Sequence, residues 1–142
     1  MALPPELLDA YRKAEYVVFP RAGDVAQLVL RIGEPNADLD ELLEAEGAAS
    51  AAFVSPGNKR GRRQGARENA DAFLHMNTLL SATRYARFVG EGRDPQGAWP
   101  PEAAVLIAGM PRAEAEALGR SLEQNAIVFV EKGRAPELLV LA

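Results

Sequence analysis

The residues best suited to chemistry lie in one basic loop. Five cations and no acid fall between residues 59 and 67, whereas the whole chain carries a net charge of −4. The loop follows a predicted strand and leads into a predicted helix, so flexible glycines, free helix amides and guanidinium groups would meet there, and all three favour phosphate or carboxylate. We therefore predict an anion-binding loop over residues 57–67, against the alternative of a solvated surface loop. Its candidate ligand residues are Asn58, Lys59, Arg60, Arg62, Arg63 and Arg67.

The helix predicted after this loop, over residues 66–83, places two amide side chains beside its apolar stripe. With Phe73 and Leu80 at the centre of that stripe, Asn69 and Asn77 lie about 40° to either side, at about 100° per residue. Buried amides without partners are costly, so both are expected either to cap strand ends or to face a cleft. Asn69 therefore joins the candidate binding residues.

The segment Gly90–Glu102 combines glycines with carboxylates and with the single tryptophan of the chain. Glu91, Asp94 and Glu102 could together hold a hard cation such as Mg²⁺. The alternative is that these residues make turns and caps, with Trp99 filling the core beneath them. Asp94 and Trp99 are kept as candidate ligand-binding residues.

Two amide residues, Gln124 and Asn125, follow the last predicted helix. Asparagine suits the left-handed conformation that ends many helices, so Asn125 has a local structural role. Gln124 has no such local role. Gln124 and Asn125 complete the set of candidate binding residues. The single histidine, His75, is predicted to face solvent, which gives little support to a catalytic triad or a histidine metal site. No metal and no cofactor is predicted.

The composition is that of one globular domain spanning residues 1–142. The chain is 48% hydrophobic and 25% charged, which is ordinary for such proteins. It has no cysteine, so disulfides and thiolate zinc sites are excluded and a reducing compartment is expected. No apolar run approaches the roughly 20 residues of a membrane span, and the N-terminus lacks a signal-peptide pattern. We therefore expect a cytoplasmic protein with no membrane contact.

Hydrophobic periodicity and turn residues predict the order α-β-β-α-β-α-β-β-α-β-β. Hairpins that alternate with helical crossovers favour an α/β (α+β) fold, with a mixed sheet of about six or seven strands and about four helices packed against it. Gly23-Asp24 is a predicted hairpin turn, and Asp38 with Glu41 a predicted capping box. The strands are predicted at residues 16–19, 26–32, 51–55, 85–89, 103–108, 126–131 and 137–141, and the helices begin near residues 4, 38, 66 and 111.

Three functions remain open. We favour a small binding or regulatory module that takes an anionic ligand, a nucleotide or the phosphates of a nucleic acid, at the basic loop, although the loop lacks the aromatic residues that single-strand binders use for stacking. A homodimeric interaction module is the second, because the charge-free strand Leu138–Leu141 would pair readily as an exposed sheet edge. The third is a small Mg²⁺-assisted enzyme built on Gly90–Glu102; no nucleophile–base pair is recognisable, so this is the least favoured.

Short blocks spread along nearly the whole chain resemble a bacterial family catalogued as domain of unknown function 3293. Two of them, Trp99-x-Pro101-Glu102 and Leu118-Gly119-Arg120 followed by Gln124–Ile127, contain residue types that core packing alone would not select. The others are Glu15-Tyr16, Ile32–Asn36 and Gly90–Pro95. The resemblance implies the fold and a cytosolic bacterial setting. It implies no activity, because none is established for the family.

The chain departs from the family pattern at the basic loop. Where the family has Ala-Trp-Asn-Pro after the third strand, this chain has Pro56-Gly57-Asn58-Lys59 and keeps the asparagine alone. On the following helix Asn69 matches the family, whereas Phe73 stands where the family has a second asparagine. A site shared by the family would therefore be altered in this chain.

Overall fold

Seven strands form one continuous sheet in the computed structural model, which describes residues 3–20 and 27–142. Their order across the sheet is β2-β1-β4-β5-β3-β6-β7. The strands are β1 (Glu15–Val18), β2 (Leu28–Leu30), β3 (Ser50–Val54), β4 (Ala86–Arg93), β5 (Glu102–Ala108), β6 (Ala126–Glu131) and β7 (Glu137–Val140).

Four α-helices accompany the sheet in the described part of the chain. They are α1 (Pro5–Lys13), α2 (Ala37–Ala45), α3 (Ala66–Ser81) and α4 (Arg112–Ser121), and a single 3₁₀ turn covers Lys59–Gly61. The predicted single-domain α/β (α+β) class, with its helix and strand numbers, is confirmed.

Alternation of side chains along the central strands gives the sheet two buried faces. In β3, Ala51 and Phe53 point to one apolar cluster, whereas Ala52 and Val54 point to another. Helix α2 covers the first face through Leu39 and Leu43, while α3 and α4 cover the second through Met76, Leu80 and Ala115.

Neighbouring strands in this sheet are antiparallel throughout, whereas the sequence predicted a mixed sheet. The helical crossovers do join strands of the same direction: β3 and β4 both run antiparallel to β5, and β5 and β6 both run antiparallel to β3. However, β5 lies between β3 and β4, and β3 lies between β5 and β6. Because a strand is inserted each time, the parallel strands never hydrogen-bond to each other.

Helix α2 begins at an asparagine cap and not at the predicted capping box. The side chain of Asn36 accepts the amide of Leu39 at 2.9 Å and donates to the carbonyl of Val29 at 3.2 Å. Asn36 therefore both caps the start of the helix and fixes that end of the helix to β2. The capping box of Asp38 with Glu41 is wrong, because Asp38 already lies inside the helix.

Strand β4 continues to Arg93, beyond the end that was predicted at Val89. Residues Gly90–Arg93 pair with β1 on one side, and Gly90–Gly92 pair with β5 on the other. The glycines suggested a turn. Instead, the lack of a side chain at Gly90 allows β4 to lie close to β1. A Cβ atom at Gly90 would lie 2.3 Å from the carbonyl oxygen of Val17.

The two edges of the sheet are β2 and β7. The hairpin of β1 with β2 is present, but β2 is shorter than predicted, and the predicted turn Gly23-Asp24 lies outside the described residues. Strand β7 is an edge strand, as the dimer hypothesis requires. In the part of the chain that the structure describes, no helix is long and apolar enough to cross a membrane.

Substitution of Gly90 tests the close contact between β1 and β4. We expect Gly90→Ala to lower the free energy of unfolding by about 2–3 kcal/mol, because backbone atoms must move to accept the methyl group. Urea denaturation measures this change. Gly92→Ala is the matched control: Gly92 lies two residues along the same strand, and a Cβ there meets no atom within 4 Å. Equal losses in the two variants would contradict the assigned contact.

Candidate functional site

Asn58 lies at the centre of a hydrogen-bond network that joins the basic loop to the rest of the fold. Its side-chain oxygen accepts the amide of Gln64 at 2.8 Å and the side-chain amide of Asn69 at 3.1 Å. Its own backbone amide donates to Asn69 Oδ1 at 2.9 Å, and its Nδ2 donates to Glu102 Oε1 at 2.8 Å. One residue therefore connects the loop to both α3 and β5.

The backbone at Asn58 is left-handed, with φ 48°. Asparagine tolerates this conformation better than most residues with a side chain. The neighbouring Gly57 is needed for a different reason, since a Cβ there would lie 2.9 Å from Asn69 Oδ1. The Gly57-Asn58 pair thus allows the loop to lie directly against α3.

The residues after α4 hold the loop from the other side. Gln124 Nε2 donates to the carbonyl of Gly57 at 3.0 Å, which supplies the role that its sequence position did not. Asn125 is buried and its Nδ2 donates to the hydroxyl of Tyr11 at 3.4 Å. The left-handed residue that ends the helix is Glu123, with φ 57°, and not Asn125 as predicted. The buried contact with α1 accounts for Asn125 instead.

The positive charge of the basic loop is partly neutralised. Lys59 and Arg60 both pair with the carboxylate of Glu123, at 3.5 Å and 3.3 Å. Arg62, Arg63 and Arg67 are exposed and have no carboxylate partner among the described residues. Three guanidinium groups therefore remain for an outside ligand, fewer than the five predicted cations.

Two pockets adjoin the Asn58–Glu102 pair, which belongs to the lining of both. The first, here called the open cleft, has a volume of about 760 Å³ and is lined by residues that include Ser55, Arg63, Gln64, Asn69, Phe73 and Pro101. The second, here called the enclosed cavity, has a volume of about 160 Å³ and is lined by residues that include Tyr11, Tyr16, Phe53, Gly92, Trp99 and Gln124.

The candidate residues divide between these pockets and the outside. Arg63 and Asn69 line the open cleft, Trp99 and Gln124 line the enclosed cavity, and Asn58 lines both. Asn125 touches the cavity wall through its contact with Tyr11. Neither lining contains the remaining candidates, Lys59, Arg60, Arg62, Arg67 and Asp94.

Three contributors to the network were missed as binding residues. Tyr11 and Gln64 were not singled out, and Glu102 was considered only as a metal ligand. The Pro-Gly-Asn sequence before the loop was the available signal, since such residues favour turns whose polar side chains bond to nearby backbone. It could not have indicated a distant residue such as Glu102.

The magnesium site considered for Glu91, Asp94 and Glu102 is not formed. Glu91 accepts from the guanidinium of Arg93, with Arg93 Nε at 2.8 Å. Asp94 caps a turn by accepting the amides of Gln96 and Ala98, and Glu102 is bound to Asn58. No cluster of three or more acidic or histidine side chains able to hold a metal occurs in the described ranges. Glu91, Asp94 and Glu102 therefore do not form the shared cation site that the sequence allowed.

Glu102 is the titratable group most affected by this arrangement. Burial raises its pKa above the usual value of a glutamate, and the hydrogen bond from Asn58 acts in the opposite direction. Burial prevails because the carboxylate loses water and gains a single amide donor among the described residues. A cation placed beside this carboxylate would offset the cost of its burial.

Comparison with known proteins identifies the family and nothing narrower. The family described as Protein of unknown function (DUF3293) matches residues 54–127, slightly more than half of the chain. The chain therefore belongs to this family. The match contains the basic loop, α3, Glu102 and Gln124, whereas the blocks at Glu15-Tyr16 and Ile32–Asn36 lie outside it. No curated protein and no solved structure matches the chain.

Replacing Asn58 tests the network. We expect Asn58→Ala to lower the free energy of unfolding by about 2–4 kcal/mol, through the lost side-chain bonds and the strain of a left-handed alanine. Asn58→Gly removes the same bonds without the strain and should cost about 1 kcal/mol less. The control is Asn77→Ala on α3, where the change should stay within about 0.5 kcal/mol. Chemical denaturation measures all three, and an Asn58→Ala variant as stable as wild type would refute the network.

The raised pKa of Glu102 predicts how stability changes with pH. Between the unfolded and folded pKa values the folded state binds more protons, so the stability of the wild type falls as pH rises through this interval. Glu102→Gln keeps an acceptor for Asn58 but cannot ionise. The free energy of unfolding of this variant should therefore rise relative to wild type as the pH increases above the ordinary pKa of a glutamate, about 4.3. If the difference in free energy of unfolding between Glu102→Gln and wild type stays constant with pH, Glu102 has the same pKa in the folded and unfolded states.

Proposed function

We propose that this protein is a small binding module that takes a phosphate-bearing ligand of nucleotide size in the open cleft. The observation that carries the proposal is the position of Arg63. Its guanidinium lines the cleft, is exposed, and has no carboxylate partner among the described residues. A free guanidinium binds phosphate through paired, charge-assisted hydrogen bonds.

The rest of the cleft suits the uncharged part of such a ligand. Phe73, Leu74, Pro100 and Pro101 provide apolar walls, and Leu74 is 65% exposed, so its apolar surface is uncovered. The amide of Asn69 lies beside Asn58 within the same lining. An apolar surface with a few convergent polar groups is typical of small-molecule sites, and about 760 Å³ lies within their usual range.

Two neighbouring arginines strengthen the attraction for an anion. Arg62 lies in the same loop and Arg67 in the first turn of α3, both outside the lining. Their positive potential would raise the local concentration of an anionic ligand. Glu102 also lines the cleft, but its oxygen Oε1 is bound to the side-chain amide of Asn58.

A mononucleotide is favoured over a nucleic acid as the ligand. The chain is acidic overall, with a net charge of −4, which opposes binding of a long polyanion. The loop between residues 55 and 65 contains no aromatic residue on which successive bases could stack.

Self-association through β7 is the alternative function. Val140 is 43% exposed on this edge strand, which favours pairing with a second copy. The strand is only four residues long and its other side chains are partly buried. We therefore rank a homodimer below the binding module.

Arg63→Ala tests the binding module. We expect wild-type protein to bind AMP in a low-salt calorimetric titration, and Arg63→Ala to bind it roughly 10- to 100-fold more weakly, the effect of losing a hydrogen bond to a charged group. Arg134→Ala is the matched control. It removes the same charge from an exposed arginine that pairs with Glu131, outside both pockets, and should leave the affinity unchanged.

Three outcomes would overturn the proposal. They are no binding of AMP by the wild type at millimolar concentration, an equal loss of affinity in Arg63→Ala and Arg134→Ala, and tighter binding of an oligonucleotide than of AMP. Tighter binding of an oligonucleotide would indicate that the cleft recognises nucleic acid.

A further inference from the structure

The enclosed cavity has a different chemistry from the open cleft. Its wall comes from α1 through Leu7, Ala10 and Tyr11, from the sheet through Tyr16 and Phe53, and from Trp99. Its exposed lining is mostly apolar, and four of the lining residues are aromatic: Tyr11, Tyr16, Phe53 and Trp99. The cavity is therefore suited to a compact apolar molecule.

Glu102 is the charged side chain of this lining, and none of the described lining residues is lysine, arginine or histidine. One oxygen of Glu102 accepts from Asn58 at 2.8 Å. Among the described residues the carboxylate has no ion pair. An unbalanced carboxylate in an apolar wall is unfavourable, and a cation placed inside the cavity would remove that cost.

A second polar group faces the same space. The hydroxyl of Tyr11 accepts a hydrogen bond from Asn125 Nδ2 at 3.4 Å, while the hydroxyl of Tyr16 is used in donating to the carbonyl of Tyr11. Tyr11 can therefore offer its oxygen or its proton to a ligand. Aromatic faces around a carboxylate also favour an organic cation, because a ring attracts a positive charge to its face.

We infer that the enclosed cavity binds a small organic ammonium ion, with Glu102 as its counter-charge and the aromatic residues around its apolar part. The volume of about 160 Å³ is similar to that of an apolar protein cavity of about 150 Å³ that holds benzene, so the ligand has about six to eight non-hydrogen atoms. This inference concerns a separate pocket and does not depend on the proposed nucleotide site.

Benzylamine is a suitable probe, with benzyl alcohol as its neutral counterpart and benzoate as its anionic one. Trp99 is the single tryptophan of the chain and lines the cavity, so its fluorescence reports binding there. We expect benzylamine to change the fluorescence of Trp99 and to bind at least tenfold more tightly than benzyl alcohol by calorimetry. Benzoate should not bind in the cavity.

Three variants locate the site. Glu102→Gln keeps the acceptor for Asn58 and should remove the preference for benzylamine over benzyl alcohol. Glu44→Gln, a control on α2 whose carboxylate is exposed and pairs with Lys132, should keep it. Gly92→Leu should abolish binding, because Gly92 lines the cavity and has open space where a side chain would enter.

The inference is overturned if benzylamine fails to bind, if it binds no better than benzyl alcohol, or if benzoate competes with it. Binding detected by calorimetry without a response from Trp99, or binding that persists in Gly92→Leu, would place the ligand elsewhere and also refute it. AMP titrations are independent of these results, so the two sites succeed or fail separately.

Discussion

The hydrogen bonds of Asn58 are the constraint on which the rest of the site depends. Residues between β3 and α3 have no regular partner in the sheet, and their backbone groups need partners from elsewhere in the fold. Asn58 accepts from Gln64 and Asn69 and donates to Glu102. Gln124 holds the preceding carbonyl of Gly57. The loop is thereby fixed to Asn69 of α3, to Glu102 of β5 and to Gln124, which follows α4.

This arrangement places two pockets with different linings on either side of the Asn58–Glu102 pair. On one side of the Asn58–Glu102 pair lies the open cleft, with the free guanidinium of Arg63. On the other lies the enclosed cavity, where Glu102 is the charged residue of an aromatic lining. The two pockets therefore share a wall at this pair while differing in their other lining residues.

The sequence predicted the elements of this fold well and their arrangement less well. The strand β6 has the bounds expected from its apolar run, and Gln124 was singled out because no local role explained it. Strand order could not be read, because insertion of β5 between β3 and β4 depends on pairing across long stretches of chain. The extent of β4 was missed for a similar reason: Gly90 serves its contact with Val17, and that contact has no local signal.

The charge of the basic loop also depends on contacts that the local sequence does not indicate. The local sequence contains five cations in nine residues, but Glu123, which is distant in sequence, forms ion pairs with two of them. Pairing of this kind depends on the folded position of α4. The sequence could thus predict which polar residues needed a partner that their local structure did not supply. It could not predict which distant residue each partner would be.

Hydrogen exchange in the basic loop tests the central claim most directly. The amide of Gln64 donates to Asn58 Oδ1 at 2.8 Å, whereas the amide of the adjacent Arg63 has no acceptor among the described residues. If Asn58 orders this loop, the amide of Gln64 should exchange at least roughly tenfold more slowly than that of Arg63, after correction for their intrinsic rates. Equal and rapid exchange at the two positions would contradict the role assigned to Asn58.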